Sequence, residues 1–267
     1  MLRLFFNPQK LKIRTVMSYD GDLKINIDTS SYVEWELFFQ GYYEKWVIGV
    51  MKKIIDAGDV AMDIGANIGT HTLVMAKLVG SEGRIFAFDP DPQSAERLKG
   101  NVELNHFKNT KILQLGLSDK KGSMTLYVYG KEMLDQGTAS LYDLPKLEKT
   151  TLNVPVTTLD EVVREENLHR LNFVKIDTRG SDLPIIRGAG ESIKKLRPFV
   201  IFEYNHGNWS HSGSRWEEAR DFFEKNNYLL YLIGTDGSVR AVRDVDAKTS
   251  YNIIAIPKEK ETQVKHT

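Results

Sequence analysis

Asp59-Val60-Ala61-Met62-Asp63-Ile64-Gly65-Ala66-Asn67-Ile68-Gly69-Thr70-His71 decides how the rest of the chain is read. Val60, Met62 and Ile64 are apolar strand residues, and Gly65 and Gly69 permit a sharp turn with close backbone approach. From Thr70 the chain enters Leu73-Val74-Met75-Ala76-Lys77-Leu78-Val79, a helix-like run that Gly80 stops. Strand, glycine turn and helix start, in that order, open a nucleotide-binding α/β unit.

The turn discriminates among nucleotides on chemical grounds. A dinucleotide loop of the form Gly-x-Gly-x-x-Gly uses its middle glycine to let the backbone touch a pyrophosphate at a helix N-terminus. Here Ala66-Asn67-Ile68 separates the two glycines, and Asp63 sets a carboxylate at the strand end, where it repels a pyrophosphate. S-adenosylmethionine carries an ammonium, a sulfonium and no phosphate. Asp63 attracts such a ligand, and the turn accommodates its methionyl part. An ordinary strand-to-helix turn with a capping aspartate uses the same residue types, so the choice falls to the residues downstream.

A chain of 267 residues with 41% hydrophobic and 27% charged residues has a globular composition and can bury a full core. We expect one α/β domain over 58–257, an N-terminal hairpin and helices over 1–57 packed on it, and a charged, frayed tail over 258–267. Lys+Arg 36 against Asp+Glu 36 argues against a nucleic-acid partner, which asks for a basic surface. With no cysteine, disulfides, cysteine-ligated zinc and thiol catalysis are excluded, in keeping with a cytoplasmic protein. Met1 to Phe6 is apolar, but Asn7-Pro8 ends it before a signal-peptide core forms. Nothing reaches the roughly 20 apolar residues of a membrane span, so a soluble protein is expected.

Outward from the turn, Tyr19-Asp20-Gly21-Asp22 between two apolar runs signals a hairpin. Val33 to Gln40 and Tyr42 to Asp56 follow helical spacing. Glu44, on a helix delivered directly before the first strand, can hang a carboxylate over the ligand's ammonium; otherwise it is a solvated surface residue. Arg84 to Asp89 forms a second buried strand, and Pro90-Asp91-Pro92 starts a helix. An acid about twenty residues beyond the turn binds ribose hydroxyls in this architecture, which assigns that role to Asp89.

Lys111 to Leu115 is the third strand, followed by Ser118 and Asp119, which either hydrogen-bond an adenine amino group or form a plain polar turn. Met124, Leu126 and Val128 alternate with polar residues, as do Leu152, Val154 and Val156. Two paired strands inserted around a long loop, Gly130 to Lys149, are expected, the loop serving as a lid or substrate wall. Asn172 to Asp177 and Phe199 to Tyr204 are the fourth and fifth core strands, Asn205 to Trp209 leaves the fifth as a loop, and Asp177, Glu203 and His206 are expected to converge there. Tyr228 to Ile233 and Ser250 to Ile256 are the final strands, joined through a turn at Thr235-Asp236-Gly237.

In this order and spacing the elements resemble the FkbM family of S-adenosylmethionine-dependent methyltransferases. The likeness is carried by Gly41-Tyr42-Tyr43-Glu44, Asp63 to Gly69, Phe88-Asp89-Pro90, Leu117 to Gly122, Thr158-Leu159-Asp160, Val174-Lys175-Ile176-Asp177 with Gly180, Arg197-Pro198 and Glu203. It implies a Rossmann-like class I methyltransferase, α/β and doubly wound, with a mostly parallel sheet and an antiparallel last strand, acting on oxygen of sugars, polyketides or other secondary metabolites. It carries over Asp63, Gly65, Asn67, Gly69, Asp89, Ser118 and Asp119 as cofactor contacts. The chain departs from the family where Arg179 precedes Gly180 and where Asp182 replaces a frequent glutamate. Arg179 either holds a carboxylated or phosphorylated substrate or pairs with Asp182.

The chemistry expected is in-line transfer of a sulfonium methyl to a hydroxyl of a sugar, glycan or small-metabolite acceptor, with His206, Asp177 or Glu203 as the base. A divalent metal on some of these acids is compatible with the sequence and not required by it. The competing readings are a Rossmann-type NAD(P)-dependent oxidoreductase and a binding protein that keeps the cofactor fold without turnover.

Overall fold

The computed structural model describes residues 12–129, 139–143 and 149–265. The chain begins with the hairpin β1 (Arg14–Tyr19) and β2 (Leu23–Asp28), paired from Arg14↔Asp28 to Tyr19↔Leu23. Asp20, Gly21 and Asp22 form its three-residue turn, in which Asp20 and Gly21 have φ of 41° and 89°, both in the left-handed region. Along β2, Leu23, Ile25 and Ile27 are buried while Lys24 and Asn26 are exposed, so the period of two points one edge of apolar groups inward.

Helices α1 (Tyr32–Gln40) and α2 (Lys45–Ile54) follow, the first capped by Ser31 and closed by Gly41 in the left-handed region. The sheet then starts with β3 (Val60–Ile64), every residue of which is buried, as expected of a central parallel strand covered on both faces. Next come α3 (Thr70–Val79), β4 (Arg84–Phe88), α4 (Pro92–Leu104) and β5 (Thr110–Leu113). Asp91 caps α4 by accepting the Ser94 amide, and Pro92 takes its first turn.

An insertion leaves the main sheet here. Strands β6 (Gly116–Leu117), β7 (Gly122–Tyr129), β8 (Ala139–Ser140) and β9 (Lys149–Thr157) form a second sheet in the order β6-β9-β7-β8. The two long strands pair as their alternation predicts, with Leu126 opposite Leu152 and Met124 opposite Val154. Most of the expected lid, residues 130–138 and 144–148, lies outside the described residues, as does Met1 to Lys10.

The chain returns through α5 (Leu159–Glu165) to β10 (Phe173–Ile176), α6 (Asp182–Arg187), α7 (Gly190–Leu196) and β11 (Phe199–Tyr204). After α8 (His206–His211) and α9 (Trp216–Lys225) come β12 (Tyr228–Ile233), β13 (Val239–Ala241), β14 (Tyr251–Pro257) and α10 (Thr262–Lys265). The main sheet runs β13-β12-β14-β11-β10-β3-β4-β5. Strands β11, β10, β3, β4 and β5 are parallel, and β14 inserts antiparallel between β11 and β12.

The chain winds outward from β3 to β5 and then crosses back to β10, so the topological switch lies between β3 and β10. Their register, Asp63↔Lys175 and Ile64↔Ile176, brings the glycine turn and Asp177 to the same crevice. Two apolar layers cover the sheet. One joins Ile25, Ile27, Leu37, Met51 and Val74; the other joins Phe86, Ile176, Ile186, Phe202 and Trp209.

Three expectations are corrected. The turn at Thr235-Asp236-Gly237 leads from β12 into β13, a short edge strand too polar to be read from its sequence, and not directly into β14. The segment after Tyr204 is the helical turn α8, capped by Asn205, and not a loop. The tail from 258 is not frayed over its described part, 258–265. Glu259 pairs with Arg197 at 2.8 Å, Glu261 accepts the Tyr231 hydroxyl, and Val264, 5% exposed, plugs into the first apolar layer. Among the described residues no helix is long and apolar enough to cross a membrane.

Candidate active site

The glycine turn after β3 is held by the end of β4. The amides of Gly65 and Ala66 both donate to the Phe88 carbonyl at 2.9 Å, and the Asn67 amide donates to Asp89 Oδ2 at 2.8 Å. The second oxygen of Asp89 accepts the Asp91 amide at 3.0 Å. Gly65 has φ of 84°, and a Cβ there would stand 2.0 Å from the Asp177 carbonyl oxygen, so no other residue fits. Asn67, at φ of 50°, adopts the left-handed region that asparagine tolerates.

Above this turn opens a cavity of about 150 Å³, bounded by Gly65, Asn67 and Asp89, by Leu115 to Leu117, by Ser140 and Leu141, and by Asp177 to Arg179. Burial pushes the Asp89 carboxyl up to about 7 against the two amides that favour its ionised form. It is a carboxylate poised to gain from two further donors.

Behind the cavity wall lies a buried polar cluster. Lys175, 2% exposed in the middle of β10, donates to Asp177 Oδ2 at 2.6 Å. Burial alone would depress its pKa, but Asp177, Glu44 and Asp63 outweigh that and raise it, so it stays charged. Asp63, 1% exposed, accepts the Thr72 hydroxyl at 2.6 Å; burial raises its pKa against the pull of Lys175. Glu44 caps α2 with φ of 45°, and its Oε1 accepts Asn252 Nδ2 at 2.8 Å. Its Oε2 lies 3.4 Å from His71 Nε2, and both atoms are buried without a hydrogen bond.

Burial, and then Lys175, hold the His71 imidazole well below its usual pKa, so it is neutral. Tyr43 stands edge-on to His71 at 6.0 Å. Glu203 is raised by burial and then by Asp177 and Glu44; Glu44 is raised by burial as well. Four carboxyl groups thus surround one lysine. The cluster either retains protons or accepts a cation.

The sequence-predicted residues separate into groups. Gly65, Asn67, Asp89 and Asp177 line the cavity. Glu44 and Asp63 stand behind its wall, and Gly69 packs on Leu98, whose Cδ1 a Cβ would meet at 2.6 Å. Glu203 joins the acid cluster without lining the cavity. His206 is not brought to the site: it is exposed at the start of α8, with its Nδ1 3.2 Å from the Tyr204 hydroxyl. Ser118 and Asp119 are not brought to it either. Ser118 is buried against Gly188, Asp119 faces solvent, and Leu115 to Leu117 form the wall in their place.

The sequence reading missed Tyr43 and His71, which line the cavity, and Lys175. Lys175 had a signal, a lysine between Val174 and Ile176 in a strand otherwise apolar. Asp182, 0% exposed, accepts the Thr178 hydroxyl at 3.0 Å and is raised well above the usual carboxylate range by burial. Among the described residues no three His, Asp or Glu side chains are arranged to hold a metal ion.

This chain's donor set fits S-adenosylmethionine. Asp89 would take the ribose hydroxyls, and the acid cluster, with Glu44 Oε2 and His71 Nε2 both unpaired, would take the methionyl end.

A sheet with its antiparallel strand between β11 and β12 and its ligand crevice at the β3, β4 and β10 ends defines a Rossmann-like class I methyltransferase fold. Residues 63–230 match the methyltransferase FkbM domain, and the chain belongs to that family.

Among characterised relatives, the hexuronic acid methyltransferase AglP of Haloferax volcanii is 27% identical over 61% of this chain and 63% of its own length. Methyltransferase sdnD of Sordaria araneosa is 28% identical over 58% of this chain and 68% of its own. Methyltransferase 1 of Beauveria bassiana is 27% identical over 53% and 63%. The chain therefore spans just under two thirds of the Haloferax and Beauveria proteins. Among solved structures, an FkbM methyltransferase from Methylobacillus flagellatus aligns with a TM-score of 0.48 at 14% identity, over 74% of this chain and 43% of that one.

Proposed function

We propose that this chain transfers a methyl group from S-adenosylmethionine to a hydroxyl oxygen of a sugar, glycan or small-metabolite acceptor. The observation that carries the reading is the pairing of Asp89, amide-anchored at the cavity rim, with an acid cluster that has no phosphate-binding character. Such a site favours a nucleoside with a cationic end over a dinucleotide. The Haloferax relative, a hexuronic acid methyltransferase by name, supports a sugar acceptor. A cytoplasmic setting belongs to the same proposal, in keeping with a chain free of cysteine.

When bound, the cofactor supplies an electrophilic sulfonium methyl. Asp177 is the residue of this chain best placed to take the acceptor's proton, because it lines the cavity and Lys175 fixes its Oδ2. The second oxygen is the one available to an acceptor. Leu115, Leu117, Leu126 and Leu141 make the adjoining wall apolar, which keeps water from competing as acceptor.

Incubation with methyl-labelled cofactor and separate acidic-sugar, neutral-glycan, lipid-linked and small-metabolite fractions tests the proposal. Label is expected in a base-stable ether of a sugar or metabolite. Tight NAD(P) binding with none of S-adenosylmethionine would replace it with the oxidoreductase reading. Tight cofactor binding without transfer to any fraction would favour the binding protein.

A further inference from the structure

One face of α4 meets the N-terminal hairpin through side-chain amides. Asn105 Oδ1 accepts the Lys24 amide at 2.8 Å, and its Nδ2 donates to the Lys24 carbonyl at 2.6 Å. One helical turn earlier, Asn101 Oδ1 accepts the Asn26 amide at 2.7 Å. Residues 101 and 105 are stacked on the helix face and residues 24 and 26 share a strand edge, so the two asparagines pair with β2 much as a neighbouring strand would. Arg97, one turn further back, continues the row by donating to the Asn26 carbonyl at 3.3 Å and to Glu34 Oε1 at 2.6 Å.

Asn101 differs from Asn105 in where its other half points. It is 1% exposed, and its Nδ2 donates to the Ile68 carbonyl at 2.8 Å. Ile68 lies inside the glycine turn, between Asn67 and Gly69. The turn is therefore fixed from two directions: from β4 through Phe88 and Asp89, and from α4 through Asn101. One buried amide, with its acceptor and its donor both engaged, ties the hairpin backbone to the turn.

We propose that Asn101 is a positioning residue for the cofactor, which makes the N-terminal hairpin a buttress of the glycine turn. The inference rests on the reading that this turn holds S-adenosylmethionine. Asn101 acts through Ile68 and Asn67, whose amide partner Asp89 takes the ribose. Loss of its Nδ2 leaves the Ile68 carbonyl buried and unpaired and frees the turn to tilt away from Asp89.

Two full-length variants separate this role from simple docking of the hairpin. Asn101→Asp keeps the acceptor for the Asn26 amide and replaces the donor to Ile68 with an oxygen. Asn105→Ala removes the docking bonds to Lys24, with one from its Nδ2 to the Asn101 backbone carbonyl at 2.7 Å, and leaves the Asn101 side-chain amide and its bond to the turn in place. Asn101→Asp is expected to weaken S-adenosylhomocysteine binding, measured by calorimetry, and to raise KM for the methyl donor, by roughly tenfold each. Its kcat at saturating donor should stay within about twofold. Asn105→Ala is expected to lower the melting temperature while leaving both constants near the parent values.

Equal losses of affinity in the two variants, or parent-like affinity in Asn101→Asp, would overturn the proposal. If the parent protein binds neither S-adenosylhomocysteine nor S-adenosylmethionine, it is the underlying functional reading that fails. Should Asn101→Asp not fold, Asn101→Gln, which keeps both halves of the amide on a longer stem, gives the same test with a displaced turn.

Discussion

Burial raises the Asp89 carboxyl to about 7, and that value ties cofactor affinity to pH with a definite sign. Hydrogen bonds from ribose hydroxyls favour the ionised form, so affinity should rise about tenfold per pH unit from pH 5 towards 7 and level off above it. The free protein responds in the opposite sense. A carboxyl raised in the folded state contributes stability that is fully present below its unfolded value, about 3.9, and is lost as pH rises through 7. The thermal shift produced by S-adenosylhomocysteine should therefore grow between pH 5 and 7, and Asp89→Asn should flatten that trend as well as weaken binding; a parent-like pH trend in the variant would assign the titration to another group. His206 and Asp177 give a second test. His206 is exposed and engaged with Tyr204, whereas Asp177 lines the cavity. His206→Ala should leave kcat within about twofold, while Asp177→Asn should lower it by roughly 10²- to 10⁴-fold with little change in donor KM. Single-turnover rates for the two variants check this, and comparable losses in both would return His206 to the site.

At the level of elements, local signals were read where the physics is local. The Asp20-Gly21 turn, the period of two in β2, β7 and β9, and the buried runs of β3, β4, β10 and β11 each carry their own geometry in neighbouring residues. Gly65, Asn67 and Asp89 were legible for the same reason, because a strand end, a glycine turn and the next strand end occupy one short stretch. What escaped depends on distant partners. Glu44 was singled out, but its partners, His71 across the α2–α3 boundary and Asn252 from 208 residues away, were not, because nothing near it in the chain announces them. The tail is a further case. Its charges suggest fraying, yet Val264 inserts into the core beside α2, and Glu259 reaches Arg197, which is itself left-handed at φ of 55°. Val264→Ala should cost about 1–2 kcal/mol, lowering the melting temperature by roughly 2 to 8 °C. Glu259→Gln should cost less than about 1 kcal/mol, because its ion pair is half exposed. Calorimetric melting of both variants checks the order, and an unchanged melting temperature for Val264→Ala would restore the frayed tail.

Across the whole molecule, the acid cluster is assembled from α2, α3, β3, β10, β11 and β14, elements that meet only once the sheet is complete. Facing Glu44 are His71 from α3, Lys175 from β10 and Asp177 just past its end, and Asn252 from β14, with Glu36 of α1 acting at longer range. One lysine does not neutralise Glu44, Asp63, Asp177 and Glu203; burial raises Glu44 and Asp63 and pushes Glu203 up to about 8, so Glu203 keeps a proton on this cluster near neutral pH. A ligand bringing an ammonium among them lowers those pKa values and expels protons. Binding of S-adenosylhomocysteine should therefore release protons at pH 7, seen as a calorimetric enthalpy that varies linearly with the ionisation enthalpy of the buffer. Methylthioadenosine has the same ribose and adenine without the amino-acid end, so it reports Asp89 alone and should release fewer. Glu44→Gln should lower the release seen with S-adenosylhomocysteine and weaken it by about tenfold, while methylthioadenosine binds the variant and the parent alike. Equal proton release by the two ligands would move the amino-acid end of the cofactor out of the cluster and leave these buried carboxyl groups a structural role.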